Sequence, residues 1–525
     1  MRKFNVTGIC VPEENYMVDI TDKLEQIKTM VDAREYFTIN RGRQYGKTTT
    51  LLALEEFLSN EYIVISLSFE GLGEKPFATE ENFCCEFLKL IKDALELSGH
   101  EIDEQEKWEN ESVNDFTSLS RHIRQVCKNS TSKYVLMIDE VDKTSNNIIF
   151  LNFLSKLREK YLARKAKKDF TFHSVILASV YDIRNIKLRL TREGLHAPAI
   201  GETVINNSPW NIASTFKVDM SFSETEIETM LLEYEKEHQT GMDIPKVSEE
   251  IHLYTSGYPV LVSSICKHID EELGKKWDVE GIGRAIQLIL KENSPLFESL
   301  IKNLTANEEL SNLVYNILMV GSRLPFNLDD PFVNLGARYG YFKDSNHQVK
   351  ISNKIFEMRL TNYFINKTLH ERIQGNPLDL VDGEGIVQNN RFNMQICLEK
   401  FAKYYHEYYS ENDIKFIERE ARYLFLLFIS PVLNGHGFAY IESQSTDYKR
   451  TDIIVNYLDQ QFIIELKIWR GEKLHHDAFE QLLGYMDRKR LSEGYLLTFD
   501  FRQKRRQRQE WIEVKGGKKI FDIVV

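Results

Sequence analysis

Gly46-Lys47-Thr48 and Asp139-Glu140 are the residue types that a polyphosphate and its divalent cation require. Asp452 and the triplet Glu465-Leu466-Lys467 are the types that hydrolysis of a phosphodiester requires. In the first group, backbone N–H groups from Gly42, Arg43, Gln44, Tyr45 and Gly46 through Lys47, Thr48 and Thr49, aided by a helix dipole, would cradle the phosphates of ATP. Lys47 would reach the outer phosphates, and the Thr48 hydroxyl would hold Mg²⁺. Asp139 would hold the same ion through its water shell, and Glu140 would orient or deprotonate the attacking water.

The spacing G-x-x-x-x-G-K-[ST] calls for a first glycine at position 41. The chain has Arg41 there, with Gly42 one place late. A basic loop capping an ordinary helix would share some of these parts. The intact Gly46-Lys47-Thr48, set between an apolar strand and a helix, favours phosphate binding, and the carboxylate pair at the end of a later strand favours it further.

The second group depends on a hairpin. If strands Asp452 to Asn456 and Gln461 to Lys467 join through a two-residue turn at Leu458-Asp459, antiparallel pairing sets Asp452 opposite Glu465, and alternation puts Lys467 on the face of Glu465. Facing carboxylates repel, and Mg²⁺ would relieve that repulsion while binding phosphate oxygen and water. The lysine can stabilise the pentacovalent phosphate or help activate the water. A structural ion triad on a sheet is the competing reading.

The elements that position these groups follow from patterning. Tyr36 to Ile39, Tyr62 to Leu67, Tyr134 to Ile138, Ser174 to Tyr181 and Phe216 to Met220 read as buried strands, and amphipathic helices between them predict a parallel sheet covered on both faces. His100 to Ser112 reads as a charged surface insertion. Ser179 stands where it would sense the γ-phosphate or serve as a buried backbone-bonded serine. Arg158, Arg184 and Arg189 each lie where an arginine finger could arise, and the sequence does not choose among them.

The runs RGRQYGKT, IDEVD, VYDIRNIK and SPWNIA resemble the AAA-like P-loop ATPases of prokaryotes, in which arginine replaces the first glycine. The resemblance covers roughly residues 30 to 300. It implies a five-stranded order with the Asp139 strand two places from the P-loop strand, and a helical lid opened by Gly257-Tyr258-Pro259. Residues 301–372 resemble the winged-helix unit that follows such lids, which binds DNA in some proteins and is favoured here as a packing unit. Farther on, Asp452 with Glu465-Leu466-Lys467 resembles the PD-(D/E)xK nuclease core, and Gln481-x-x-x-Tyr485 resembles the helix of its RecB-like branch. That resemblance implies one more acid from a preceding helix, Glu420 or alternatively Glu418. It also makes Gln481 a catalytic-site residue beside Asp452, Glu465 and Lys467. Lys449-Arg450-Thr451 stands where the family usually has proline or glycine-arginine.

The expected fold class is α/β: a P-loop NTPase parallel sheet with a helical lid and winged-helix-like unit, then a C-terminal α/β PD-(D/E)xK nuclease-like domain. The boundaries expected are 1–30 for an N-terminal arm, 31–220 for the ATPase domain, 221–300 for the lid, 301–372 for the winged-helix-like unit, 373–392 for a linker and 393–525 for the nuclease-like domain. A length of 525 residues suits several domains at ~150 residues each. With 42% hydrophobic and 28% charged residues the chain reads as an ordinary globular protein, not a disordered one.

Six cysteines without C-x-x-C spacing point to a reducing compartment, and the lack of a long apolar run points to a cytoplasmic protein with no membrane partner. Net charge of −12 argues against indiscriminate coating of nucleic acid, yet Arg502 to Arg508 holds five cations in seven residues. DNA or another nucleic acid is therefore the expected partner besides ATP, and homo-oligomerisation is open. The function expected is a metal-dependent nuclease gated by ATP binding and hydrolysis. The alternative is a nucleotide-switched scaffold whose nuclease-like domain binds nucleic acid or protein without cutting.

Overall fold

The computed structural model describes residues 2–141, 147–179, 210, 212–320, 322–373, 385–408, 418–433, 437–441, 453–458, 460–489, 491–502, 508–514 and 516–525. The chain forms two compact units. One comprises Met1–Glu237, Gly257–Val260 and Arg338–Gly340; the other comprises His238–Ser256, Leu261–Ala337 and Tyr341–Val525.

The first unit is built on β1 (Tyr36–Asn40), β2 (Ile63–Ser68), β3 (Tyr134–Asp139) and β4 (Ser174–Ser179), all parallel, in the order β1-β4-β3-β2. Every residue of β3 and β4 is buried, as a parallel strand covered on both faces must be. On one face, α1 (Thr21–Asp32) and α2 (Lys47–Leu58) bring Ile27, Val31, Leu51 and Leu54 against Phe37, Val135 and Met137. On the other, α3 (Glu80–Leu97), α4 (Phe116–Asn129) and α5 (Ile148–Lys165) cover Tyr36, Ile65, Leu136 and Ile138. The period-two alternation of each strand separates the two cores. β3 lies two places from β1, as expected, and this sets Asp139 at the same end of the sheet as the loop that follows β1.

Two expectations are corrected. Phe216 to Met220 is not a fifth strand. Among the described residues its neighbourhood pairs with the β1 backbone at an isolated bridge between Phe37 and Ser214, the Phe216 ring stacks on Phe37, and the Val218 carbonyl accepts from the Arg41 guanidinium at 2.8 Å instead of from a ladder partner. The segment from His100 to Ser112 is not purely a surface insertion either. Trp108 within it is fully buried, with its ring stacked on Phe172 at 5.7 Å, because one indole buries enough apolar area to fix an otherwise charged segment.

The second unit contains helices Ile244–Thr255, Val279–Lys291, Pro295–Thr305, Glu308–Tyr315, Pro331–Arg338 and Lys354–Ile373, with a hairpin of Phe342–Ser345 and Gln348–Ile351. Its sheet has six strands: β5 (Gly437–Ile441), β6 (Ile453–Tyr457), β7 (Gln460–Ile468), β8 (Glu493–Phe499), β9 (Arg508–Val514) and β10 (Lys518–Val524), in the order β9-β10-β8-β7-β6-β5. The strands β7, β8 and β10 run parallel, and the outer ones pair antiparallel.

Phe499 of β8 packs on Phe401 and Tyr405 of α6 (Met394–Tyr408), which places that helix on the odd-numbered face of the strand. Helix α7 (Glu418–Leu433) also packs on this sheet. Helix α8 (Glu472–Lys489) lies on the even-numbered face. Gly494 is required there, since a Cβ would fall 2.6 Å from the Met486 sulfur and 3.3 Å from Leu482.

Candidate nucleotide and nuclease sites

The loop from Arg41 to Gly46 turns from β1 into α2. Gly46 takes φ 74° just before Lys47, the left-handed conformation that glycine adopts at least cost, and Gln44 takes φ 56°. Lys47 is buried, and its Nζ donates to the carbonyls of Arg41 at 3.1 Å and Gly42 at 3.0 Å. The amine is thus held over the concave side of the loop. Thr48 Oγ1 donates to Asp139 Oδ2 at 2.7 Å, while Asp139 Oδ1 accepts from the backbone N–H of Glu140 at 2.8 Å. Glu140, half-buried, has φ 55°, a left-handed conformation uncommon for its type and frequent at functional turns. Thr49 lies one residue farther on, its hydroxyl accepting from Cys10 N–H at 3.3 Å.

Arg41 has a structural task where the usual motif has glycine. Its Nη1 donates to Asn40 O and its Nη2 to Val218 O, both at 2.8 Å, and its guanidinium lies over the Phe216 ring. The displaced glycine is explained as well: a Cβ on Gly42 would stand 3.4 Å from the Tyr258 hydroxyl and 3.5 Å from the Tyr339 carbonyl. Tyr258 itself donates to the Arg43 carbonyl at 2.7 Å, and its ring meets Tyr45 edge-on at 4.5 Å. Tyr45 in turn shares a hydrogen bond with the Ser221 hydroxyl at 2.6 Å. Sequence reasoning read Tyr258 only as part of a helix-opening turn. Nothing in its local pattern signals that it buttresses the loop.

Ser179 is fully buried and donates to Asn40 Oδ1 at 2.6 Å, which ties the ends of β4 and β1 together. Of the three candidate arginines, Arg158 sits half-buried on α5, and Arg184 and Arg189 lie outside the described residues. A nucleotide with Mg²⁺ fits what is present. An ammonium lies on the loop, a glycine at position 46 leaves open space where a Cβ would stand, and a hydroxyl and a carboxylate already meet where a shared cation would be held.

In the second unit the β6–β7 ladder pairs Tyr457 with Gln460 and Ile453 with Ile464, so the turn is the two-residue one at 458–459, with Leu458 at φ 50°. Glu465, the next residue along β7, is fully buried and forms an ion pair with Lys467 on the same face. Asp452 lies outside the described residues. Glu420 and Glu418 fall in the first turn of α7, and their side chains are not among those described. Gln481 and Tyr485 lie on α8, which covers the face of β8 that carries Gly494 and Leu496. Since Glu465 is in register with Leu496 on a parallel pair, Glu465 and Lys467 point to the α8 side too. Tyr485 is buried and Gln481 half-buried. A buried carboxylate beside an ammonium is a donor set that could hold a divalent ion and phosphate, with Glu465 the described carboxylate.

That face also carries residues the sequence did not single out as a group. Leu496 is in register with Asp522 of β10, so Glu465, Leu496 and Asp522 form one row across the sheet. Asp522 is fully buried; its Oδ1 lies 3.3 Å from His475 Nε2 and its Oδ2 lies 3.4 Å from Arg508 Nη1. A lone carboxylate in the apolar run IFDIVV was the available signal.

Residues 437–511 match the family model described as the PD-(D/E)XK nuclease superfamily. A comparison with curated protein sequences gives no match. Among solved structures, the Walker-type ATPase paby2304 of Pyrococcus abyssi is similar at 13% identity over 68% of this chain and 99% of its own, with a TM-score of 0.44. The ORC2 protein of Aeropyrum pernix, in ADPNP–ADP complexes, gives 12% identity, 70% and 98% coverage and a TM-score of 0.36. The ORC1 protein of the same organism, in complex with DNA, gives 11%, 91%, 96% and 0.30. The parallel order β1-β4-β3-β2 and the loop after β1 give the first unit its P-loop character, and the C-terminal segment is of PD-(D/E)XK nuclease-superfamily type.

Proposed function

We propose that the protein binds and hydrolyses ATP at the loop from Gly42 to Thr49 and cleaves nucleic acid with a divalent metal at Glu465, Lys467 and Asp452, the nucleotide state controlling the cleavage. The observation that carries the first half is the direct bond from Thr48 to Asp139, which unites the two halves of a nucleotide site from distant parts of the chain. Bound Mg²⁺ would be held by Thr48 and, through water, by Asp139, supplying charge neutralisation at the β- and γ-phosphates. Lys47 would turn from the loop carbonyls to the outer phosphates, and Glu140 would accept a proton from, or orient, the attacking water.

The second half is supported by the family match over 437–511 and by the Glu465–Lys467 pair. Continued by one residue, the β6–β7 register would set Asp452 against Glu465, and Gln481 and Glu420 would complete the surroundings. A metal bound there would lower the pKa of its water and polarise the phosphate. Lys467 would steady the developing negative charge on the phosphate oxygens. For the control we point to chain connectivity: Tyr258, bonded to the loop at Arg43, leads directly into the helix Pro259–Glu271.

The test incubates the full chain with single- and double-stranded DNA and Mg²⁺. Strand breaks that vanish with EDTA and in Lys467→Ala support the proposal. Breaks that persist in Lys467→Ala would place any metal chemistry elsewhere.

A further inference from the structure

Beside the Glu465–Lys467 pair, on the same face of the sheet, lies a cleft of about 290 Å³ lined by Trp469, Glu472, His475, His476, Phe479, Arg508 and Ile512. Strand alternation explains the neighbourhood, because Glu465, Lys467 and Trp469 are two apart along β7 and its continuation. We propose that this cleft holds one unpaired nucleotide of a nucleic-acid strand next to the bond being cut, its base against Trp469 and its phosphate at Arg508. The inference rests on the nuclease reading above and adds to it a preference for single-stranded or frayed substrate.

Three observations carry it. Trp469 is half-buried at the cleft, its ring 5.1 Å from that of His475, and the Arg502 guanidinium lies 4.8 Å from the indole centroid. Arg502 is held there by a two-pronged contact with the buried carboxylate of Asp500, at 2.8 and 2.7 Å. An indole with a fixed cation over it is the kind of surface on which unpaired bases stack, with the charge drawing in the backbone.

The second observation is the support beneath the cleft. Fully buried Asp522 shares a hydrogen bond with His475 of α8 and forms an ion pair with Arg508 of β9, which places both side chains at the rim. Arg508 also pairs with Glu510 beside it. A guanidinium positioned by carboxylates recognises an anion more selectively than a mobile surface lysine does. A guanidinium in the wall makes the cleft unsuited to a second metal ion.

The third is the position of the basic strip. Of its two described ends, Arg508 lines the cleft, and Arg502 lies over the ring of Trp469, which lines it too. The volume falls just below the range of roughly 300–1,000 Å³ usual for small-ligand sites, which leaves room for one base and none for a double helix. The row from Glu465 to Asp522 spans two strand spacings, about 10 Å, so both regions can contact neighbouring nucleotides of one strand.

The experiment measures binding of a labelled oligothymidine strand and of a blunt duplex to the full chain, by fluorescence anisotropy in EDTA so that nothing is cut. Trp469→Ala is expected to weaken single-strand binding by roughly five- to a hundredfold, the effect of losing one stacking platform. Trp469→Phe should keep the wild-type affinity, which guards against a folding defect. Duplex binding should be unchanged in both. In Arg508→Gln the slope of log affinity against log salt should fall by about 1.

Single-strand binding by Trp469→Ala at wild-type strength, or an equal loss for strand and duplex, would overturn the proposal. Cleavage in Mg²⁺ is scored separately. A chain that binds through Trp469 without cutting keeps the subsite and removes the nuclease, whereas a chain that cuts while Trp469→Ala binds normally keeps the nuclease and removes the subsite.

Discussion

Thr48 and Asp139, 91 residues apart in sequence, share a 2.7 Å hydrogen bond. The bond joins the first turn of α2 to the end of β3, and the sheet order puts β3 close enough for it to form. Lys47, one residue earlier, is folded onto the loop carbonyls. Replacing it should therefore remove phosphate charge stabilisation without disturbing the sheet. Lys47→Ala is expected to lower ATP turnover by a hundredfold or more, on the order of losing one transition-state contact. Phosphate release against ATP concentration measures it.

Glu140 should separate binding from hydrolysis. Its left-handed backbone directs the residue after Asp139 away from the line of the strand, and the Asp139–Thr48 bond does not involve its side chain. Glu140→Gln is expected to bind ATP as tightly as the wild type and to hydrolyse it about 10²–10⁴-fold more slowly, the range for loss of a general base. Isothermal titration paired with phosphate release checks both halves.

Tyr258 offers a test of the loop buttress. Burial pushes its hydroxyl well above the usual tyrosine range, so it remains a donor to Arg43 at any ordinary pH. Tyr258→Phe removes one hydrogen bond of about 1 kcal/mol, which predicts a roughly fivefold weaker ATP affinity with the loop sequence intact.

His173 predicts the acid limb of stability. Burial, with Lys133, Arg34 and Arg164 nearby, depresses its imidazole from 6.5 to about 4. The unfolded chain then binds the extra proton between those values, so stability is full above pH 6.5 and falls as pH drops toward 4, by about 3 kcal/mol. Urea midpoints across that window should decline in the wild type and flatten in His173→Gln.

How much of this could be read from the residues differs from element to element. The turn from β1 into α2 was legible because Gly46-Lys47-Thr48 follows an apolar strand directly, and the meeting of Thr48 with Asp139 follows from the sheet order. The β6–β7 register was legible because a two-residue turn leaves only one pairing. The task of Arg41 was not, since its partner Val218 lies 177 residues away and a side chain there replaces a ladder bond. That replacement is also why Phe216 to Met220 misled as a strand. Trp108, Tyr258 and the Trp469–Arg508 cleft were hidden for a related reason: each depends on partners that only the tertiary fold brings together.

We propose that the nucleotide at Lys47 governs chemistry at Glu465 and Lys467. The most direct test is Mg²⁺-dependent cleavage of single-stranded DNA by the wild type and by Lys47→Ala, each with and without ATP. Cleavage is expected to change with ATP in the wild type, to be unresponsive to ATP in Lys47→Ala, and to be absent from Lys467→Ala in either condition. Cleavage by the wild type at the same rate with and without ATP, matched by Lys47→Ala, would contradict it.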